Sequence, residues 1–253
     1  MIGFYLVLFN AAQGKPLEEL INVLQSGATH DYIGEPVSQL EHALQCAQAA
    51  IDAGADDETI IAALFHDIGH LCTADDIASM GSYGIKEHEK VGAQLMRDYG
   101  FSEKIAQLIE GHVQAKWYLT FKYRDYYEKL SEASKQTLMY QGGPMSAIEA
   151  IAFELDPLFE QKLQMRVWDE QAKKIGWQGA SLDSYKKLLR NYAQLSSPYS
   201  IQIAHAAHIA SLIDSIAVMR LEQYKAYPYL YYGTMTCERA YLQSYIHEQG
   251  IVV

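Results

Sequence analysis

Cysteine is scarce in this chain of 253 residues: Cys46, Cys72 and Cys237 stand far apart, and no CxxC pair occurs. That excludes a disulfide framework and a zinc–thiolate motif, and it sets the expectation of a reduced, cytoplasmic setting. Long apolar runs are missing too. The run near the start, Ile2 to Phe9, has eight residues, against about 20 for a bilayer-spanning helix. No cation precedes it and no convincing small-residue cleavage site follows, so neither a membrane span nor a signal peptide is expected. Positive charge is in short supply: 20 Lys and Arg against 31 Asp and Glu leave a formal charge of −11 and a pI near 5.2. A polyanion needs a basic footprint, so nucleic acid is excluded as a partner. Any anionic substrate must be small and held by local positive charge. Prolines number six, and strand-type alternation is nearly absent.

What the sequence does hold is helical periodicity. Its length suits one or two domains with a sizeable core, and apolar residues recur at i, i+3 and i+4. A helix is expected after Pro16 through Leu17, Leu20, Ile21 and Leu24, stopping at Ser26-Gly27. A polar linker, Ala28 to Glu35, leads through Pro36 into a helix ending near Ala53-Gly54. Asp56-Asp57 caps the next helix, whose apolar face reads Ile60, Ile61, Leu64, Phe65 and Ile68. After a glycine-bearing loop from Asp75 to Gly84, further helices are expected over 85–99, 102–118, 128–140, 146–154, 159–175 and 182–194. The expected fold class is all-α, a helical bundle. Ser196-Ser197-Pro198 marks a boundary between a main domain, 1–195, and a helical, tyrosine-rich extension, 196–253, that packs on the body or on a second copy of the chain.

Chemistry concentrates in the histidines. Five of nine lie between residues 42 and 112, and the segment His66-Asp67-Ile68-Gly69-His70 is the centre. On a continuous helix His66 and His70 share a face. An adjacent His-Asp pair places imidazole and carboxylate around one ion, and the carboxylate's two oxygens are able to bridge two. His42, His88 and His112 lie on the flanking helices, the usual way a bundle builds a buried metal site. Any one such histidine reads as an ordinary core residue. Five on successive helices do not, because burying several imidazoles without partners is costly. His30, His205, His208 and His247 lack this context and are read as structural.

The HD dipeptide, Asp31-Tyr32-Ile33-Gly34-Glu35, Gln39-Leu40-Glu41-His42, Glu87-His88-Glu89-Lys90-Val91-Gly92-Ala93 and Glu110-Gly111-His112-Val113-Gln114-Ala115-Lys116 resemble the PhnZ-like diiron phosphonate oxygenases of the HD-domain superfamily. Tyr140-Gln141-Gly142-Gly143-Pro144-Met145 and Trp168-Asp169-Glu170 continue the likeness, which runs from about Ser26 to Asn191. The resemblance implies that His42, His66, Asp67 and Asp169 hold one iron and that His88 and His112 hold the other, with Asp67 bridging a mixed-valent Fe(II)/Fe(III) pair and O2 as co-substrate. Four imidazoles with two carboxylates suit iron or a similar late divalent metal better than magnesium or calcium. Asp169 would otherwise read as an exposed helix charge.

By the same resemblance His70 and Lys116 grip the substrate phosphonate, with Ser134 and Thr137 as hydroxyl donors and Gln141 beside them. Lys116, four residues after His112, lies on the same helix face. Tyr32 implies a gate at the open iron position. Glu35 holds that gate and contacts the substrate amine. The implied reaction cleaves the carbon–phosphorus bond of a 1-hydroxyphosphonate such as 2-amino-1-hydroxyethylphosphonate, giving glycine and phosphate. The alternative is an HD-type phosphohydrolase acting on a small phosphate ester or nucleotide, in which the same ions activate water and no gate is needed. A third reading, a metal-stabilised scaffold that binds a partner through its tail, fits Lys116 least well.

Overall fold

The computed structural model describes residues 16–32, 35–72, 79–81 and 84–195. The tyrosine-rich extension, its boundary at Ser196-Ser197-Pro198, and His205, His208 and His247 lie outside these residues.

Ten α-helices run through the described chain: α1 Leu17–Ser26, α2 Gln39–Asp52, α3 Asp57–Phe65, α4 His88–Asp98, α5 Glu103–Lys122, α6 Arg124–Lys129, α7 Glu132–Tyr140, α8 Ala147–Glu154, α9 Phe159–Gln171 and α10 Leu182–Leu195. Among the described residues only two isolated bridges have strand character, Asp31 with Ser38 and Ser79 with Ile85. The fold is all-α. Helix starts follow local chemistry: Ser38 and Ser146 form capping boxes with Glu41 and Glu149, while Asp56, Ser102 and Ser131 each accept a backbone N–H of the first turn. Such caps contribute about 1 kcal/mol each.

Helix α3 is the axis of the bundle. Every residue from Thr59 to Phe65 is buried, as a helix apolar all round must be. Packed with it in one core are Leu20 and Ile21 of α1, Cys46 and Ala47 of α2, Met96 of α4, Leu108 and Ile109 of α5, Met165 and Trp168 of α9, and Leu189 of α10. Large apolar side chains buried this fully contribute roughly 1.5–3 kcal/mol apiece. A smaller cluster, Ala115, Tyr118, Ala150 and Phe153, joins α5 to α8.

Three expectations change. The helix expected to run through Ile68 stops at Phe65. Asp67 leaves helical geometry (φ −104°, ψ 9°), and Ile68–Leu71 forms a short 3-10 turn. His66 and His70 therefore do not share a continuous helix face. The cause is close packing: a Cβ on Gly69 would stand 2.0 Å from the His88 carbonyl oxygen, and one on Gly92 would meet Ile68 at 3.1 Å. The two glycines let α4 press onto the turn. Second, the helix expected over 128–140 is two, because Ser131 caps a new start at Glu132. Third, the helix expected to reach residue 175 ends at Gln171.

Candidate metal centre and its cavity

Four elements converge on Asp67: α2 brings His42, the C-terminus of α3 brings His66, the start of α4 brings His88, and the middle of α5 brings His112. Helix α9 adds Asp169. All six residues are buried. His42 Nε2 and His66 Nε2 are 3.0 Å apart. They lie 3.5 and 3.3 Å from Asp67 Oδ2, and 3.3 and 3.9 Å from Asp169 Oδ1. On the other side His88 Nε2 and His112 Nε2 are 3.2 Å apart, at 3.2 and 3.4 Å from Asp67 Oδ1. The six thus form two groups able to hold a metal ion, with Asp67 in both. One carboxylate oxygen faces each group.

The protonation pattern favours cations at both places. His42 Nδ1 donates to Ala172 O, His66 Nδ1 to Ala63 O and His112 Nδ1 to Ile109 O, at 2.9, 2.9 and 2.6 Å. A carbonyl oxygen only accepts, so each ring, once its Nε2 is deprotonated, turns a lone pair inward. Facing lone pairs repel unless a cation sits between them. Two nitrogens each about 2.1 Å from one ion stand roughly 3.0–3.4 Å apart, the spacing found in both pairs. The donor set therefore fits two late divalent metals. Burial opposes the charge on Asp67, yet His66, His112 and His42 hold its carboxyl well below the usual range. For Asp169 burial is likewise outweighed, chiefly by Arg166. His66 is raised because Asp67 overcomes burial, whereas burial lowers His112.

A cavity opens beside these groups, and every residue expected to meet substrate lines it: Tyr32, Glu35, His70, Lys116, Ser134, Thr137 and Gln141. Lys116 is buried and donates to Thr137 Oγ1 at 3.1 Å. Burial, reinforced by Arg166, pulls its pKa down to about 7. His70 accepts from the Ile85 N–H through Nδ1 at 3.1 Å, so its neutral ring carries the proton on Nε2. Burial and the neighbouring His88, on which it stacks at 3.9 Å, keep it neutral. Both amide atoms of the Gln141 side chain are buried without a partner.

The Tyr32 ring stacks on His42 at 3.8 Å, and its hydroxyl donates to Asp169 Oδ1 at 3.2 Å. Burial and Asp169 raise its pKa, so the phenol stays protonated. The Glu35 carboxylate is not aimed at the Tyr32 hydroxyl; only the main-chain N–H of Glu35 bonds the tyrosine, donating to Tyr32 O at 2.7 Å. The carboxylate pairs with Lys173 at 2.9 Å, and that ammonium lies 5.7 Å from the Tyr32 ring centroid. His30 is exposed, and its ring bonds Ser26 O. Of the tyrosines after the Lys116 segment, Tyr126 bonds Glu170 and Arg166, Tyr118 joins the small apolar cluster, Tyr123 and Tyr127 are exposed, and none lines the cavity.

Sequence reasoning missed Arg166, Lys173, Met80 and Glu89. Arg166 is buried, binds Asp169 and Glu170, and leaves Nη2 unpartnered. Its one signal is position, three residues before Asp169. Lys173 follows Asp169 by four. Met80 is a cavity wall with no signal at all.

Buried His and Asp groups supplied by consecutive helices of an all-α bundle define an HD-domain metal site. The HD domain family profile matches residues 40–159. The chain is 42% identical over 179 residues to an uncharacterized protein of Acanthamoeba polyphaga mimivirus, covering 70% of this chain and 82% of that one. It is 36% identical over 162 residues to the [1-hydroxy-2-(trimethylamino)ethyl]phosphonate dioxygenase (glycine-betaine-forming) of Leisingera caerulea, with 64% and 82% covered. Over 174 residues it is 36% identical to the hydroxymethylphosphonate dioxygenase of Gimesia maris, with 68% and 85% covered. The chain belongs to the PhnZ-like oxygenases of the HD-domain family. Among the described residues no helix is long and apolar enough to cross a membrane.

Proposed function

We propose that this chain is a diiron dioxygenase that cleaves the carbon–phosphorus bond of a small 1-hydroxyphosphonate, with 2-amino-1-hydroxyethylphosphonate as the representative substrate. The observation that carries the reading is the Asp67 carboxylate, one oxygen towards each metal group, beside a cavity holding a buried lysine. Two relatives with phosphonate dioxygenase names support the substrate class.

His42, His66, Asp67 and Asp169 would hold one iron, and Asp67, His88 and His112 the other. When bound, the pair supplies dioxygen activation and one-electron redox change, chemistry no side chain here provides. The protein's own groups do the rest. Lys116 clamps the phosphonate with an ammonium that the dianion keeps protonated. His70 Nε2–H, the Thr137 and Ser134 hydroxyls and the Gln141 amide donate to the remaining oxygens. The protonated Tyr32 phenol, resting on Asp169, covers the first metal group until substrate arrives, while Lys173 and Glu35 hold its loop. In the net reaction the C–P bond breaks, the alcohol carbon rises to a carboxylate, and the two oxygen atoms of O2 balance one added to carbon and one to phosphorus. Glycine and phosphate are the products from the representative substrate.

The test is stoichiometry on iron-loaded protein. Phosphate released from 2-amino-1-hydroxyethylphosphonate should equal dioxygen consumed, mole for mole, and cease under nitrogen. Hydrolysis of small phosphate esters under nitrogen, with none of the phosphonate consumed in air, would make the chain a phosphohydrolase.

A further inference from the structure

Three of the four inward-facing histidines are anchored alike, through Nδ1–H to a main-chain carbonyl. His88 is the exception. Its Nδ1 is buried and has no hydrogen-bond partner, and the nearest charged oxygen is Glu89 Oε2 at 3.6 Å, itself buried and unpartnered. Acidic residues in the first turn of a helix are common because they meet the positive end of the macrodipole, but they ordinarily sit in water. Glu89 is only 4% exposed. Among the described residues no lysine or arginine forms an ion pair with it. A buried carboxylate without a cation is costly, so its retention needs a partner.

The surroundings leave His88 little freedom to turn away. Its ring stacks on His70 at 3.9 Å with 18° between planes. Its carbonyl is pinned against Gly69. Glu87, immediately before it, holds a left-handed conformation (φ 62°), a strain that a non-glycine residue sustains only where the fold over-determines it.

From this geometry we infer that Glu89 is a positioning residue for the second metal ion, its carboxylate holding the Nδ1–H of His88 so that Nε2 faces Asp67 and His112. The inference rests on the reading of these residues as metal ligands. A carboxylate acceptor makes the imidazole a stronger donor than a carbonyl does. An ion held between His88 and His112 would have two imidazoles and one shared carboxylate, whereas one in the other group would have two imidazoles, the shared carboxylate and Asp169. Glu89 thus supplies negative charge on the side that has fewer ligand carboxylates.

The experiment titrates ferrous iron into metal-free, full-length protein under nitrogen and follows both binding constants by calorimetry. Wild type should take two ions per chain. In Glu89→Gln the first constant should hold and the second should weaken about 10- to 100-fold. Glu89→Asp separates charge from packing: it keeps the carboxylate but shortens the side chain, so it should retain the second ion better than the isosteric Gln variant. A merely structural role gives the opposite order. Two ions with unchanged constants in Glu89→Gln, or tighter second-ion binding in Gln than in Asp, would overturn the inference alone. A wild-type chain that binds no ion would overturn the metal reading and the inference with it.

Discussion

Lys116 carries the residue-scale argument. Its pKa near 7 comes mainly from burial, with Arg166 adding repulsion. An unfolded lysine titrates near 10.4, so between about 7 and 10.4 the unfolded chain binds the extra proton and this group's contribution to stability rises with pH. Below about 7 both states are protonated and the full burial penalty is felt. Binding follows the opposite direction, because the clamp needs the charged form. We expect kcat/KM for the phosphonate to fall about tenfold per unit as pH rises above about 7, since that ratio reports the free enzyme, while kcat changes little because bound dianion holds the proton on. Lys116→Arg, always charged, should flatten the profile. A wild-type profile level to pH 9, or one that Lys116→Arg leaves unaltered, would remove Lys116 from substrate binding. Five of the six metal-group residues were legible by residue type and order. Asp169 was legible only through resemblance, because its own helix is polar and gives no sign that one face is sealed by Arg166 and the His42 ring.

At the scale of elements, helix positions followed from apolar spacing and caps, but the site depends on where helices end. Periodicity carried α3 through Ile68 because Ile68 does face the core. What ends the helix is the fit of Gly69 against His88 and Gly92 of α4, a contact between segments about twenty residues apart that no local pattern records. The turn lets Asp67 show one oxygen to each pair of histidines and sends His70 into the cavity. The segment bearing Tyr32 and Glu35 shows the same dependence. Tyr32 N–H bonds Val37 O, Glu35 N–H bonds Tyr32 O, and Lys173 beyond the end of α9 clamps it through Glu35. That partly exposed ion pair is worth on the order of 1 kcal/mol. Lys173→Met should therefore speed hydrogen exchange of the Tyr32 and Glu35 amides about fivefold, with exchange in α3 unchanged. Equal exchange in both proteins would show that Lys173 does not hold the segment.

For the whole molecule, an acidic chain needs local positive charge to hold a dianionic substrate. In the cavity three cationic side chains balance the carboxylates of Glu35, Asp67 and Asp169, and bound metal ions would tip it positive. Lys116, Arg166 and Lys173 line a single wall system around the Asp67 centre, although the overall charge is −11. The absence of a basic footprint directed the sequence reading to a small ligand; the three cations proposed to receive it are dispersed along 58 positions of sequence and are brought together by packing of α5 against α9. The account stands or falls on what those walls enclose. The most direct measurement is the metal content and electron spin resonance spectrum of anaerobically purified protein, with and without 2-amino-1-hydroxyethylphosphonate. The account predicts two irons per chain and a mixed-valent signal that this compound perturbs. Manganese, cobalt or nickel in place of iron, or an iron signal indifferent to the phosphonate, would contradict it.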